Sequence, residues 1–565
     1  MTSGSGTTTP ETAPGTTLNA DLCVIGAGPA GLSLARSLTG TGIRVVVLEG
    51  GSDRAPQQLA DIRVEGENPY PQSHISQTRA AFLGGTSGLW SYRMSNQDPE
   101  DGLRGCRYAP LDQIDFETRP DVPSSGWPFG RAELDPWYAA AQPICGLGPF
   151  DYTADGWAEP GAQPLPLDPQ LAESQMFQFA PATVWSVDAV AAIRADPHMK
   201  ILTEANVTAL EPAGNSGGET RIGRVRFARP DGSPGEIEAR LVVLAAGGIE
   251  NSRLLLLGDE ALRGGFGNEH DQVGRYWMEH PQVRGGLLVA SPEAALGSRL
   301  SLYDAQYRRG TKVMAKLAIP PRTARERGLI STSALLLPRH TVLASSAVQA
   351  YTALRSPTGR SQSVVHRAAM AGRMAIGVRD LITARSVMAV HTGVDHNGWS
   401  SRPESIRSTV FELLHQTEQT PDPENRITLA GDRDRFGRRT PVLTWKWSQR
   451  DRERITASRN LYAEAFRTAG LGDVIQRDWD NGQPRAIGGN HHHMGGTRIA
   501  PSSRTGVVDA NLKVHGVRNL FVAGSSVFPA GGSVNPTLTI VALSLRLAAH
   551  LHDCLTGPAA QVILT

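Results

Sequence analysis

Residues 21–51 read DLCVIGAGPAGLSLARSLTGTGIRVVVLEGG, and the fold turns on them. Leu22 to Ile25 is a continuous apolar run of strand length. Gly26, Gly28 and Gly31 follow as GxGxxG. Pro29 to Leu38 has a helical pattern, and Arg44 to Leu48 is a second, β-branched strand ending at Glu49. The first glycine permits a tight turn. The second lets backbone approach a pyrophosphate, and the third lets the helix lie close on the strand. The helix start offers free N–H groups and a positive dipole end to phosphates. Glu49 stands 18 residues after Gly31, where its carboxylate can accept from ribose hydroxyls. The order strand, turn, helix, strand, acid predicts a dinucleotide site. The motif does not choose between NAD and FAD, but its place at the start of a long chain leans toward FAD.

Further signals lie downstream. Residues 79–94, RAAFLGGTSGLWSYRM, put Gly84 and Gly85 before Thr86, Ser87 and Trp90. A Gly-Gly pair with small hydroxyl residues suits backbone held against a flat ring or a pyrophosphate, and equally suits an ordinary loop. Residues 238–258, EARLVVLAAGGIENSRLLLLG, repeat the strand, glycine, helix order around Gly247. MKILTEANVTALE (199–211) reads as one strand, and GRVRFARPDGSPGEIEAR (223–240) as a hairpin with an Asp-Gly turn. A second strand set returning to the first nucleotide site suits an FAD-sized ligand.

At 565 residues the chain exceeds one simple core. Net charge is +1 with no basic block, so nucleic-acid binding has no electrostatic support. Cys23, Cys106, Cys145 and Cys554 are scattered without CxxC, which argues against a disulfide framework, structural zinc or c-type haem. MTSGSGTTTPETAPGTT lacks the basic and apolar regions of a signal peptide and reads as a disordered tail over 1–18. No membrane span is expected, and the cytoplasm is the expected compartment.

The other end carries GGNHHHMGGTRI (488–499) and, further on, Asn535 before Pro536. Metal ligation, ordinary structure and a proton-handling pair compete for these residues. No acid or cysteine falls at ligand spacing beside the histidines, so no metal site is expected.

Six blocks in order, from about residue 20 to about residue 550, resemble the glucose–methanol–choline (GMC) flavoprotein oxidoreductases. They are CVIGAGPAGLSLARSL, RAAFLGGTSGLW, GWPFGRAELDPWYAAAQ, LVVLAAGGIENSRLLL, GNEHDQVGRYWMEHP and the C-terminal HHHMGGTRI…VVDANLKVHGVRNLFVAGSSVFPAGGSVNPTLTIVALSLRLAAHL. The likeness is to a bacterial branch of sugar and glycoside oxidases and dehydrogenases. It implies an α/β protein: a doubly wound, Rossmann-like FAD-binding domain with an antiparallel-sheet substrate-binding cap. The expected FAD-binding pieces are 19–100, 198–285 and 488–555. The expected cap is 101–197 and 286–487, with 338–400 a helical insertion serving as lid, dimer face or partner surface.

The resemblance also implies a catalytic His in H-x-x-G-T and a partner His or Asn before P-T-L-T. His493 and Asn535 occupy those positions. If the histidine run is a strand, His491 shares the face of His493 and His492 points away. His493 is then the base for an alcohol proton, and Asn535 the residue that orients the hydroxyl and stabilises alkoxide charge. Asn535-Pro536 also reads as a helix start, with Asn as cap and Pro at the first position. Asp509 is expected to close the FAD site with Gly524. Ser91 should lie near the flavin's reactive nitrogen, and Val207 and Thr537 complete the expected cofactor contacts. Pyranose oxidases link FAD to a histidine just before the Trp of the Gly-Gly loop. Leu89 stands there, so non-covalent FAD is expected. The implied activity is oxidation of a CH–OH group of a sugar, glycoside or aminoglycoside-like polyol, with O2 or another electron acceptor as partner. No nucleic-acid or membrane partner is expected, and an oligomer is left open. A non-redox lyase, a non-catalytic flavin-binding subunit and a nicotinamide dehydrogenase are the alternatives.

Overall fold

A computed structural model describes residues 17–66, 72–94, 103–120, 122, 124–216, 218–294, 296–355, 362–388, 409–476, 486–489 and 491–557. Strand Thr17–Ile25 runs parallel to Val45–Leu48 on one side and to Pro234–Leu244 on the other. Met199–Leu202 extends this layer beyond Val45–Leu48, and Leu520–Val522 pairs with the end of Pro234–Leu244. Leu22 to Ile25 and Val45 to Leu48 are buried throughout. That is why both runs lack alternation: a parallel sheet covered on both faces needs apolar side chains in both directions. Asn206–Ser216 and Glu219–Ala228 complete a seven-stranded sheet through antiparallel pairing.

Helix Pro29–Ser37 packs on helix Thr537–Thr556, which also packs on Arg131–Ile144. Thr537–Thr556 is long and apolar enough to match a membrane span, contrary to the expectation that no such run exists. It is mostly buried inside the protein, and its all-round apolarity is that of a central helix.

The second layer is a ten-stranded sheet. Its central strands, Arg104–Tyr108, Glu173–Pro181, Thr311–Ala318, Thr332–Arg339, Val410–Thr417 and Pro281–Ala290, pair antiparallel in that spatial order. Its polar strand ends, including Arg107 and Gln416, meet the C-terminal segment carrying Asn535.

Several expectations change. Strand pairing already includes Thr17 and Leu18, so the expected tail over 1–18 ends earlier, and residues 1–16 lie outside the described residues. MKILTEANVTALE is two strands, broken where Glu204 adopts φ 55°. Residues 420–447, TPDPENRITLAGDRDRFGRRTPVLTWKW, read as two strands of the substrate sheet, but the hairpin they form, Arg426–Arg433 and Arg439–Thr444, does not join the large sheet. It pairs with Arg63–Glu65 in a separate three-stranded sheet. The 338–400 insertion begins as strand Thr332–Arg339 and continues as helices Ser346–Arg355, Val364–Ile376 and Val378–Met388. Residues 356–361 and 389–400 of it lie outside the described residues. Val364, Val365, Ile376, Val378 and Ile382 are exposed on it.

Candidate active site

One cavity of about 560 Å³ lies between the glycine turn and the histidine run. At its nucleotide end Gly26 has φ 110°, and a Cβ there would lie 2.5 Å from the Ala245 carbonyl oxygen. A Cβ on Gly31 would lie 2.0 Å from the Gly26 oxygen, so Gly31 serves helix-to-turn packing and is not on the cavity wall. Gly28 and Gly85 both line the cavity and abut, since a Cβ on Gly85 would meet Gly28 Cα at 2.8 Å. Helix Pro29–Ser37 has no side-chain cap and no acid in its first turn. Its leading N–H groups and dipole therefore remain for an anion. Glu49 also lines the cavity and accepts from the backbone N–H of Ala27, Gly51 and Phe82 at 2.9, 2.8 and 3.2 Å. Burial pushes its carboxyl above the usual range despite those donors. These features fit a dinucleotide with its pyrophosphate on the turn.

The structure brings Thr86, Trp90, Ser91, Val207, Gly247, Gly524 and Thr537 to the same wall. Besides Gly31, three expected cofactor residues are elsewhere. Gly84 donates its N–H to the Ala27 oxygen at 2.8 Å, and Ser87 Oγ donates to the Gly84 oxygen at 2.7 Å, so both brace the loop from behind. Asp509 accepts from the N–H of Asn511 and Lys513 at 2.8 and 3.0 Å. It closes a tight turn and does not reach the cavity, because its carboxylate is used by its own backbone.

The histidine run is not a strand. His491 adopts φ 64°, which breaks the two-residue alternation, and His491, His492 and His493 all line the cavity. The reading that turned His492 away is therefore corrected. His493 Nε2 lies 3.0 Å from Thr78 Oγ1, whose own proton is donated to the Ile75 oxygen at 2.8 Å. Thr78 Oγ1 is then the acceptor, and His493 Nε2 is the donor. His493 also packs on Trp277, with centroids 5.5 Å apart. His492 is nearly buried, its N–H donates to Glu279 Oε1 at 2.8 Å, and its Nδ1 lies 2.9 Å from His280 Nδ1. Among the described residues nothing hydrogen-bonds its Nε2. Burial, His280 and Arg107 hold its imidazole well below the usual histidine range.

Asn535 does not cap the last helix, as the sequence suggested. The helix is Thr537–Thr556 with Pro536 ahead of it and no side-chain cap. Asn535 Oδ1 accepts from Arg107 Nε at 3.1 Å. Arg107 Nη2 donates to Gln416 Oε1 at 2.7 Å, and Gln416 Nε2 donates to the Ser533 oxygen at 3.0 Å. This chain of donors turns both amides one way, leaving Asn535 to present N–H groups at the cavity. The sequence reading missed Thr78, Arg107, His280 and Gln416. Only His280 fell in a quoted block, GNEHDQVGRYWMEHP, and it carried no assigned role.

The GMC oxidoreductase family description matches residues 421–544, which include the histidine run and Asn535, and an FAD binding domain matches residues 19–66, the glycine turn and Glu49. The chain thus carries a GMC oxidoreductase C-terminal region beside an FAD-binding one. Members of this family are FAD-dependent oxidoreductases, and the described cradle fits that cofactor. The chain is 25% identical to the fructose dehydrogenase large subunit of Gluconobacter japonicus, over 96% of this chain and 99% of that one. It is also 25% identical to the 6'''-hydroxyparomomycin C oxidase of Streptomyces lividus, over 94% and 92% of the two chains. The crystal structure of pyridoxine 4-oxidase from Mesorbium loti shares its fold, with TM-score 0.51, 16% identity and coverage of 95% and 99%.

Proposed function

We propose that this GMC oxidoreductase oxidises a CH–OH group of a sugar, glycoside or similar polyol, with His492 as base and Asn535 as hydroxyl-orienting donor. One observation carries the reading: the dinucleotide turn, His492 and Asn535 line a single cavity. Two relatives aligned over nearly the whole chain are named for fructose and for 6'''-hydroxyparomomycin C, which supports a polyhydroxylated substrate. Arg107 and Gln282, from the large sheet, line the same cavity and add polar groups for such a ligand.

An alcohol proton is too weakly acidic to leave unaided, so a base must stand within about 3 Å of it. His492 meets the chemical requirement, since it is neutral through burial and keeps a cavity-side nitrogen. The resemblance pointed to His493, whose Nε2 proton points to Thr78, while His492 is the histidine braced from behind by His280. Asn535 N–H groups donate to the substrate oxygen as it gains negative charge. Bound FAD supplies the acceptor for the hydride leaving the carbinol carbon. Glu49 and the glycine turn would hold its ribose and pyrophosphate. Non-covalent attachment at the Gly-Gly loop follows from Leu89, which lines the cavity and carries no nucleophile. O2 or another electron acceptor completes turnover. We also place the protein in the cytoplasm, a compartment suited to its four free, buried cysteines. Cell fractionation tests this, and recovery outside the cytoplasmic fraction overturns it.

The deciding experiment is an anaerobic screen of sugars, glycosides and aminoglycosides against the purified yellow enzyme. A substrate should bleach the flavin absorbance. An unbleached flavin across the whole panel argues against the proposed substrate class. Release of FAD from denatured protein checks the non-covalent attachment.

A further inference from the structure

His280 is fully buried and stands behind His492 as seen from the cavity, which His492 lines and His280 does not. Their Nδ1 atoms are 2.9 Å apart, with ring planes at 85°. Two Nδ1 atoms at that distance share one proton, and one of the two rings must donate it. His280 Nε2 lies 3.2 Å from the Gly531 carbonyl oxygen. A carbonyl only accepts, so His280 Nε2 carries the hydrogen. Burial pushes His280 down to about 4 and holds His492 low as well, so both rings are neutral. A neutral ring protonated at Nε2 has a bare Nδ1. The shared proton therefore belongs to His492.

We propose that His280 is a positioning residue that holds His492 as its Nδ1–H tautomer, so that the bare Nε2 faces the substrate hydroxyl. The proposal rests on His492 being the base. Without His280, the commoner choice for a buried imidazole would be to carry its proton wherever an acceptor lies, including the cavity side, and a ring protonated there cannot accept. The Gly531 carbonyl anchors the line: Gly531 oxygen accepts from His280 Nε2–H, and His280 Nδ1 accepts from His492 Nδ1–H. Glu279 Oε1 accepts the backbone N–H of both His280 and His492, at 2.8 Å each, and so fixes the spacing of the two rings. In the step itself the substrate O–H bond breaks and a new N–H bond forms at His492 Nε2. The positive charge then sits on His492, whose Nδ1–H bond to His280 strengthens as it becomes charged. The same carbon also gives up a hydride, for which bound FAD would be the acceptor, so the alcohol loses two electrons and two hydrogens in all.

Two isosteres separate the two ends of His280. In His280→Asn, Oδ1 replaces Nδ1 and keeps the acceptor toward His492. In His280→Gln, Nε2 keeps the donor toward Gly531 but no acceptor reaches His492. Turnover of the holoenzyme in His280→Gln should fall by at least about tenfold and up to about 10⁴-fold, the range spanned by losing a partner that orients a histidine or sets its tautomer, with KM within about threefold. His280→Asn should recover most of that loss. FAD content and thermal unfolding of both variants screen out misfolding. Independently of any variant's activity, nitrogen-15 NMR of histidine-labelled wild-type protein should show His492 protonated at Nδ1 and bare at Nε2, with His492→Gln assigning the signals. Equal turnover in the Asn and Gln variants, or a proton on His492 Nε2, overturns the proposal. Should His492→Gln itself keep full turnover, the base assignment falls and takes this inference with it. Should His492→Gln be inactive while His280→Gln matches wild type, only the role of His280 falls.

Discussion

Arg107 Nε donates to Asn535 Oδ1 at 3.1 Å, tying the large sheet to the segment that enters the last helix. The guanidinium thereby decides which end of the Asn535 amide is left to the cavity. Asn535→Ala removes donors aimed at developing alkoxide charge, and kcat should fall about 10²–10³-fold. Arg107→Met keeps Asn535 but frees its amide to flip, so a smaller loss of kcat is expected. Anaerobic rapid-reaction measurement of flavin reduction checks both. A larger loss in Arg107→Met than in Asn535→Ala would mean that Arg107 acts other than through Asn535.

The two cavity histidines should separate cleanly. His492→Ala should lower the rate of flavin reduction about 10²–10⁴-fold, the usual worth of a general base. His493→Ala loses a hydrogen bond to Thr78 and contact with Trp277, and should cost less than about tenfold. The reverse ranking in stopped-flow traces returns the base to His493.

Gly31→Ala places a Cβ 2.0 Å from the Gly26 oxygen, which neither backbone can yield without opening the turn. The variant should purify with little or no FAD, read as the ratio of flavin to protein absorbance. Gly40→Ala is the control. Gly40 has φ 76° but open space around it, so alanine there costs only about 1 kcal/mol of backbone strain and should keep its flavin.

Arg119 and Glu418 form a buried two-pronged pair, at 2.8 and 2.5 Å, and Glu418 also accepts from the Ser331 N–H. Glu418→Gln leaves the guanidinium buried against a neutral partner. Loss of one member of a buried pair typically costs about 3–5 kcal/mol. Denaturant unfolding, with flavin and tryptophan signals followed together, measures it, and a loss under about 1 kcal/mol contradicts the expectation.

His415 is buried, and burial, with Arg459 adding, pushes its imidazole down to about 3. Its folded value lies below the unfolded value of about 6.5, so between those values the unfolded chain binds more protons. The contribution to stability is full above about pH 6.5 and is lost as pH falls toward 3. His415→Leu removes this titration, and its melting temperature should fall less than wild type on acidification from pH 7 to pH 5. Asp115, raised by burial and by Glu418, works in the opposite direction and cancels in the comparison. Parallel melting curves of the two proteins against pH would remove the basis for this.

How much could be read in advance depended on distance along the chain. The turn at Gly26, Gly28 and Gly31 with Glu49 was legible because every partner lies within about thirty residues and each glycine answers a local steric demand. Gly84, Ser87 and Asp509 carried the right residue types, but their polar atoms are used by neighbouring backbone and do not reach the cavity. Period-two reading failed at His492 because one residue, His491, takes a left-handed conformation and rotates everything after it.

From the sequence alone came the nucleotide fold and its dinucleotide turn, which are properties of residue type at fixed local spacing. The two short blocks where a base and its amide partner must be sought came from the resemblance of those blocks to a known family. Tertiary structure alone decided that His492 meets His280 while His493 meets Thr78, and which way Asn535 points. His280 and His492 are 212 residues apart, and Arg107 and Asn535 are 428 apart. A hydrogen bond closes only when packing brings its two atoms within about 3 Å. No spacing rule in a linear chain encodes that approach.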